Sequence, residues 1–156
     1  MGDELLPFFP EINRLFVAVS TGGACKGLFM RTKQEKPEIK VHAVDVEGSI
    51  IFTNQPKSRK FSGLGSSMRP EHLNGLQVDA LSIVTEDEIV VGCHELLSQF
   101  ALFCRASSGA IMAAVMKEIE DKNLRNEGIL CILADSGLTY MNSVFQPPLP
   151  LPKITT

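Results

Sequence analysis

The chain has 156 residues, 44% of them apolar and 21% charged, and carries a net charge of −3. That length suits one domain burying about 68–70% of its unfolded surface, and the balance of charge leaves no basic footprint for nucleic acid or an anionic membrane. No apolar run approaches the ~18 residues of a bilayer span, and no leader pattern opens the chain, so the expectation is a cytoplasmic protein with neither a nucleic-acid nor a membrane partner.

Asp3 to Arg14 has helical character broken at Pro7 and Pro10, and Leu15–Val19 then forms a buried strand. Ser20-Thr21-Gly22-Gly23-Ala24 follows as a glycine turn. Adjacent glycines let backbone N–H groups converge on an anion, and a helix starting there adds the positive end of its dipole. A Gly-Gly turn also serves plain chain reversal, so by itself it names no ligand. Cys25 to Lys36, with Leu28, Phe29 and Met30 among basic residues, is a helix that Pro37 stops. Lys40–Val46 is a second buried strand. Ile50 to Ser67 has little periodicity and is too long for a simple connection, which predicts a functional loop near the ligand.

Val78–Val84 is a third strand, and Thr85 with Glu88 forms a capping box opening a helix to about Gln99. Ser107-Ser108-Gly109-Ala110 opens another, with Ser107 and Ser108 as N-caps or ligand contacts and Ile111, Ala114, Val115 and Ile119 packing on the sheet. Met112 and Met116 are expected as core filler. Gly128–Leu133 is the fourth strand, Ala134-Asp135-Ser136-Gly137 ends it, and Leu138 to Phe145 is a short helix before an extended arm, Pro147 to Pro152.

Strands alternating with helices predict an α/β fold, a mostly parallel sheet covered by helices on both faces. The expected organisation is one domain over 1–146 with a proline-rich tail over 147–156. Ligands of such sheets bind beyond the carboxyl ends of the strands. Ser20–Ala24, Ser107–Gly109 and Asp135–Gly137 should therefore converge. Cys25, Cys93, Cys104 and Cys131 show no C-x-x-C pair and no histidine at ligand spacing, so no metal site and no disulfide framework is expected. His42 in a strand and His94 on a helix read as structural, whereas His72 follows the loop more closely. Asp135 is expected to orient its turn as an Asx residue.

Taken in order, L-F-V-A-V-S-T-G-G, I-K-V-H-A-V-D-V-E-G-S-I-I-F, G-L-G-S-S-M-R-P-E-H-L, S-S-G-A-I-M-A-A and L-A-D-S-G-L-T-Y-M resemble the second half of the cysteine synthase and cystathionine β-synthase family. These are fold type II pyridoxal-phosphate enzymes. The V-D-V-E-G-S-I-I-F and G-S-S blocks look most like the branch serving 2,3-diaminopropionate and siderophore biosynthesis. The resemblance runs from about Phe8 to Phe145 and implies the large domain of that fold, truncated on its N-terminal side. It implies that Ser20, Thr21, Gly22, Gly23 and Ala24 hold the 5′-phosphate of pyridoxal phosphate and that Ser136 faces its ring nitrogen. A serine hydroxyl there leaves the cofactor a weaker electron sink than a carboxylate would. It further implies that Gly63, Gly65, Ser66 and Ser67 form a substrate-facing loop, flanked by Arg59 and Arg69.

The family's reaction is β-replacement on an O-activated serine by an amine or thiol nucleophile. Its serine-lysine motif, which carries the Schiff-base lysine, has no match here: Lys26, Lys33, Lys36 and Lys40 lie in or beside the cradle helix. Ala24 stands where a threonine hydroxyl is usual, and Cys104-Arg105-Ala106 replaces a glycine-rich approach, so that Arg105 either fills the pocket or pairs with phosphate. The expectation is thus a cofactor-binding half, inactive alone, that binds a small amino-acid substrate and joins a complementary N-terminal half or a second copy. The alternatives are a non-catalytic, truncated paralogue acting as a binding or regulatory partner, and an incomplete fragment.

Overall fold

A computed structural model describes residues 2–122, 124 and 126–145; the proposed arm at 147–152 lies outside them. Strands β1 (Arg14–Ala18), β2 (Lys40–Val46), β3 (Ala80–Val84) and β4 (Ile129–Cys131) form one parallel sheet in the order β3-β2-β1-β4. Helix α1 (Gly23–Glu35) covers one face, and α2 (Glu86–Phe100) and α3 (Ala106–Lys122) cover the other. The α/β expectation of a parallel sheet covered on both faces therefore holds.

The strands divide their side chains by the two-residue period of extended chain. Leu15, Val17, Val19, Val41 and Ala43 meet Cys25 and Leu28 of α1, together with Phe9 and Ile12. Phe16, Val44, Val46 and Val84 point oppositely, onto Ile89 and Cys93 of α2 and Ala110, Ile111 and Ala114 of α3. Both faces of β1 are thus buried, which is why it reads as a continuous apolar run. Where α2 crosses α3, a Cβ on Gly92 would lie 2.1 Å from the Gly109 carbonyl oxygen, and one on Gly109 would lie 2.3 Å from Cys93 Sγ. The two glycines set how closely these helices approach.

The strand starts are tied by a buried ionic cluster that the sequence did not announce. Arg14 is the first residue of β1 rather than the end of the lead-in, and it is buried. Its guanidinium donates to Glu127 (2.5 Å), to Glu118 (2.9 Å) and to His42 Nε2 (3.2 Å). A guanidinium only donates, so His42 Nε2 accepts. His42 also stacks on Phe16 at 4.3 Å, the structural role expected for it.

Several boundaries move. The lead-in is an unbroken nine-residue 3-10 helix, Asp3–Glu11, with Pro7 and Pro10 inside it. Proline's fixed φ matches 3-10 geometry and removes only one donor each time, so the prolines shape this helix instead of breaking it. Helix α1 begins at Gly23, two residues ahead of the predicted Cys25. The capping box of Thr85 and Glu88 is present in both directions. The predicted helix at Leu138–Phe145 is a 3-10 turn over Gly137–Tyr140. Ile119 does not pack on the sheet: it is 44% exposed on α3. Met112 and Met116 are half-buried rather than interior. Cys25, Cys93, Cys104 and Cys131 are all free thiols. Burial pushes the thiols of Cys25, Cys93 and Cys131 up to about 11, which keeps them protonated at neutral pH.

Gly109→Ala should cost about 1–3 kcal/mol by forcing α2 and α3 apart. Gly27→Ala, where an added Cβ meets nothing within 4 Å on α1, should instead gain roughly 0.5–1 kcal/mol of helix stability. Urea unfolding of the two variants beside the wild type measures both.

Candidate functional site

At the carboxyl end of β1 the Val19 amide donates to the Val44 carbonyl (2.9 Å), and the chain then leaves the sheet. It turns at Gly22, whose φ of 85° is left-handed. A Cβ on Gly22 would lie 2.4 Å from Leu73 Cδ1, so backbone angle and packing both demand glycine there. Gly23 is open: nothing lies within 4 Å of an added Cβ. Helix α1 starts at this point, and the N–H groups of its first turn have no acceptor within the helix. Thr21, Gly23 and Ala24 are exposed, Ser20 is half-buried, and Ala24 brings no hydroxyl.

The long loop folds back onto this turn. Gly65 donates its amide to the Val19 carbonyl (2.8 Å), and Ser20 Oγ donates to the Gly65 carbonyl (3.4 Å). Ser49 Oγ accepts the amides of Ser66 (3.1 Å) and Ile51 (3.4 Å), holding the loop to the end of β2. Gly65 is left-handed at φ 69°, and a Cβ there would strike Val46 at 2.7 Å. Ser66 Oγ accepts the Met68 amide (3.0 Å), and Ser67 Oγ accepts from Arg59 (3.1 Å), which also reaches the Gly48 carbonyl. Arg59 therefore braces the loop. Arg69 instead lines a cavity of about 480 Å³, together with Ser20, Thr21, Ser66, Glu71 and His72.

Beneath the loop lies Asp45, which the sequence reading passed over. It is fully buried on β2. Its Oδ1 accepts the Val46 amide (2.8 Å), while Oδ2 has no hydrogen-bond partner. Burial holds this carboxyl above the ordinary aspartate value, against the opposite pull of Ser49, the Val46 amide and the Arg59 charge.

The third turn is fixed from α3. Ser107 and Ser108 are not N-caps, because α3 already begins at Ala106. Ser108 is buried; its Oγ donates to the Ala134 carbonyl and accepts the Ala134 amide, both at 3.1 Å, stapling α3 to the segment after β4. Arg105 pairs with Asp135 at 3.0 Å, lies 5.6 Å from the Tyr140 ring centre, and packs against Gly63. Tyr140 donates its hydroxyl to the Ser62 carbonyl (2.7 Å). Arg105 thus lies between the loop and the third turn. Asp135 is left-handed at φ 60°, and its carboxylate serves Arg105 rather than its own backbone. Ser136 is exposed, and its Oγ accepts the Leu138 amide (3.4 Å).

The three polar turns thus meet along one edge of the sheet, with the 61–67 loop joining the first to the third. His94, by contrast, bonds the Val144 carbonyl (3.0 Å) and meets Phe145 edge-on, a structural role. His72 borders the cavity, and its carbonyl accepts from Lys26 Nζ (2.5 Å). Lys33 pairs with Asp79 (2.7 Å), and Lys36 bonds the Phe9 carbonyl (2.8 Å). Among the described residues no group of three or more histidines, cysteines or acids could hold a metal ion.

Residues 1–135 match the family described as pyridoxal-phosphate dependent enzyme. The chain belongs to that family. Its fold is also that of solved relatives. An O-acetylserine dependent cystathionine β-synthase from Helicobacter pylori superposes with a TM-score of 0.81 at 23% identity, covering 91% of this chain and 46% of that one. An O-ureido-L-serine synthase superposes with a TM-score of 0.82 at 20% identity, covering 92% and 46%. The chain therefore spans a little under half the length of these solved relatives.

The residues present suit a phosphorylated cofactor of this family. Leu73 packs against Gly22, but at Gly23 nothing lies within 4 Å of an added Cβ, which leaves the first turn of α1 open to an anion there. Ser136 keeps a hydroxyl proton to donate, since its contact with Leu138 uses the oxygen as acceptor.

Asp45 sets a pH dependence. Its folded-state value is raised, so the native protein keeps the proton to higher pH than the unfolded chain does. Stability must then fall as pH rises from the ordinary aspartate value through the raised one. Asp45→Asn keeps an acceptor for the Val46 amide and carries no charge. In urea unfolding it should gain on the wild type across that interval and show no gain below it. A second expectation concerns Arg105: Arg105→Ala should speed exchange of the Gly65 amide by roughly two- to tenfold, measured by hydrogen exchange, because a partly exposed pair braces the loop only modestly.

Proposed function

We propose that this chain supplies the cofactor-binding half of a pyridoxal-phosphate-dependent β-replacement synthase and works only with the complementary half that carries the family's lysine. The observation that carries the reading is the turn at Gly22. Its left-handed backbone turns the chain into the start of α1 at the carboxyl end of β1, and at Gly23 an added Cβ would meet nothing within 4 Å.

In this reading the amides from Gly22 to Ala24, with Ser20 and Thr21 beside them, hold the 5′-phosphate, and the α1 dipole favours its charge. Ala24 forgoes a hydroxyl contact, worth about 1.5–3 kcal/mol to a charged acceptor. Ser136 donates to the ring nitrogen. The bound cofactor supplies electron withdrawal at the substrate's α-carbon, and a neutral serine keeps that withdrawal moderate. Gly63 and Gly65 allow close backbone approach, and Ser66 and Ser67 border the substrate. Substrates of the O-acetylserine or O-phosphoserine type, with an amine or thiol nucleophile, follow from the family's chemistry. An amino-acid or siderophore-precursor product and a cytoplasmic setting belong to the same reading, as does pairing into a dimer.

Titration with pyridoxal 5′-phosphate, read by equilibrium dialysis with and without a complementary half, tests it. Retention of cofactor is expected, strengthened by the added half. Gly23→Ala should weaken it by about tenfold through crowding of the phosphate, with no loss of stability to unfolding because the new methyl meets no protein atom within 4 Å. Cofactor absent from every mixture would favour the non-catalytic partner.

A further inference from the structure

The loop that folds back onto the cradle also walls a second cavity. This one measures about 500 Å³ and is closed by separate segments of the chain: the loop at Phe61, the start of α2 at Asp87 and Val90, Arg105 just ahead of α3, and the last turn at Thr139 and Tyr140. It shares no lining residue with the cavity that Ser20, Thr21 and Arg69 border. Neither the residues of the cradle nor Ser136 line it.

Its walls are braced. Tyr140 donates its hydroxyl to the Ser62 carbonyl and meets the Phe61 ring edge-on at 5.7 Å, and the Lys60 amide donates to Glu86. The charges in the cavity are committed unequally. Glu86 serves Lys60, through that amide and through the ammonium group at 3.9 Å. Asp87 is an exposed carboxylate that forms no hydrogen bond or ion pair among the described residues. Arg105 gives Nη1 to Asp135, and a guanidinium has more N–H donors than Asp135 and Tyr140 take up. An open carboxylate, a cation with donors to spare and an apolar floor of Phe61 and Val90 suit one kind of ligand: a small molecule with an ammonium group, a carboxylate and an apolar chain. A purely anionic ligand would meet Glu86 and Asp87, and a purely cationic one Lys60 and Arg105.

We infer that this cavity is a binding site for a free, zwitterionic α-amino acid with an apolar side chain, separate from the cofactor site. The ligand's ammonium group pairs with Asp87, its carboxylate accepts from Arg105, and its side chain lies on Phe61 and Val90. The assignment needs neither cofactor nor a complementary half, so it stands or falls apart from the functional reading.

The probe is L-norvaline, set beside pentanoate, which lacks the ammonium group, and butylamine, which lacks the carboxylate. Each is titrated into the full 156-residue chain without cofactor and followed by amide NMR spectra. Saturable shifts from norvaline are expected at Phe61, Ser62, Asp87 and Thr139. Pentanoate should bind about fivefold more weakly, the limit for an exposed ion pair, and butylamine about tenfold more weakly, for loss of a charge-assisted Arg contact. Asp87→Asn should weaken norvaline by about fivefold and leave pentanoate unchanged, with circular dichroism unaltered because the capping box of Thr85 and Glu88 remains. Arg105→Gln should weaken norvaline by about tenfold and leave butylamine unchanged. Equal binding of the three probes, shifts centred on the cradle, norvaline binding untouched by Asp87→Asn, or no saturable binding would each overturn the assignment. Norvaline bound by a chain that retains no pyridoxal 5′-phosphate would sink the functional reading and leave this site standing.

Discussion

Parallel pairing on both sides of β1 is the constraint on which the rest of the molecule depends. Because β2 and β4 run in the same direction as β1, every segment that follows a strand leaves the sheet at the same edge. The glycine turn after β1, the loop after β2 and the Asp135 turn after β4 are therefore neighbours by topology before any side chain acts. The same pairing buries β1 on both faces and requires α1 on one side and the α2–α3 pair on the other.

Within that frame the edge is held by hydrogen bonds rather than apolar packing. Ser49 and Gly65 hold the loop to the ends of β2 and β1, Ser108 holds the third turn to α3, and Arg105 spans the two. These bonds fix the chain that leads into the Gly22 turn, through Gly65 to Val19 and Ser20 to Gly65. Asp45 works in the opposite sense. A buried carboxyl under the loop is held at a cost that grows with pH, a feature of the kind that collects at functional edges.

The two ends of the sheet divide the labour. At the strand starts Arg14, Glu118, Glu127 and His42 form a cluster whose charges are partnered and largely buried, which fixes how α3 and β4 sit on β1. At the strand ends Thr21, Asp135 and Ser136 are exposed, while Asp45, Ser49 and Ser108 are buried. Partnered charges are concentrated at one edge of the sheet, and the turns after β1, β2 and β4 at the other.

The sequence by itself determined the order of elements, the parallel α/β architecture, the capping box at Thr85 and the position of the glycine turn, because each is set by local periodicity or by a residue with special backbone freedom. The family was equally legible, since five ordered blocks from Leu15 to Met141 carry it. Only the tertiary structure decided the rest. That Arg105 turns to Asp135, that Ser108 staples rather than caps, that Asp45 lies under the loop and that Ile119 faces solvent all depend on contacts between residues far apart in the chain. No local pattern encodes those partners. The Pro7 and Pro10 helix shows the same limit locally, because proline forbids an α-helix there but permits the tighter turn that packing selects.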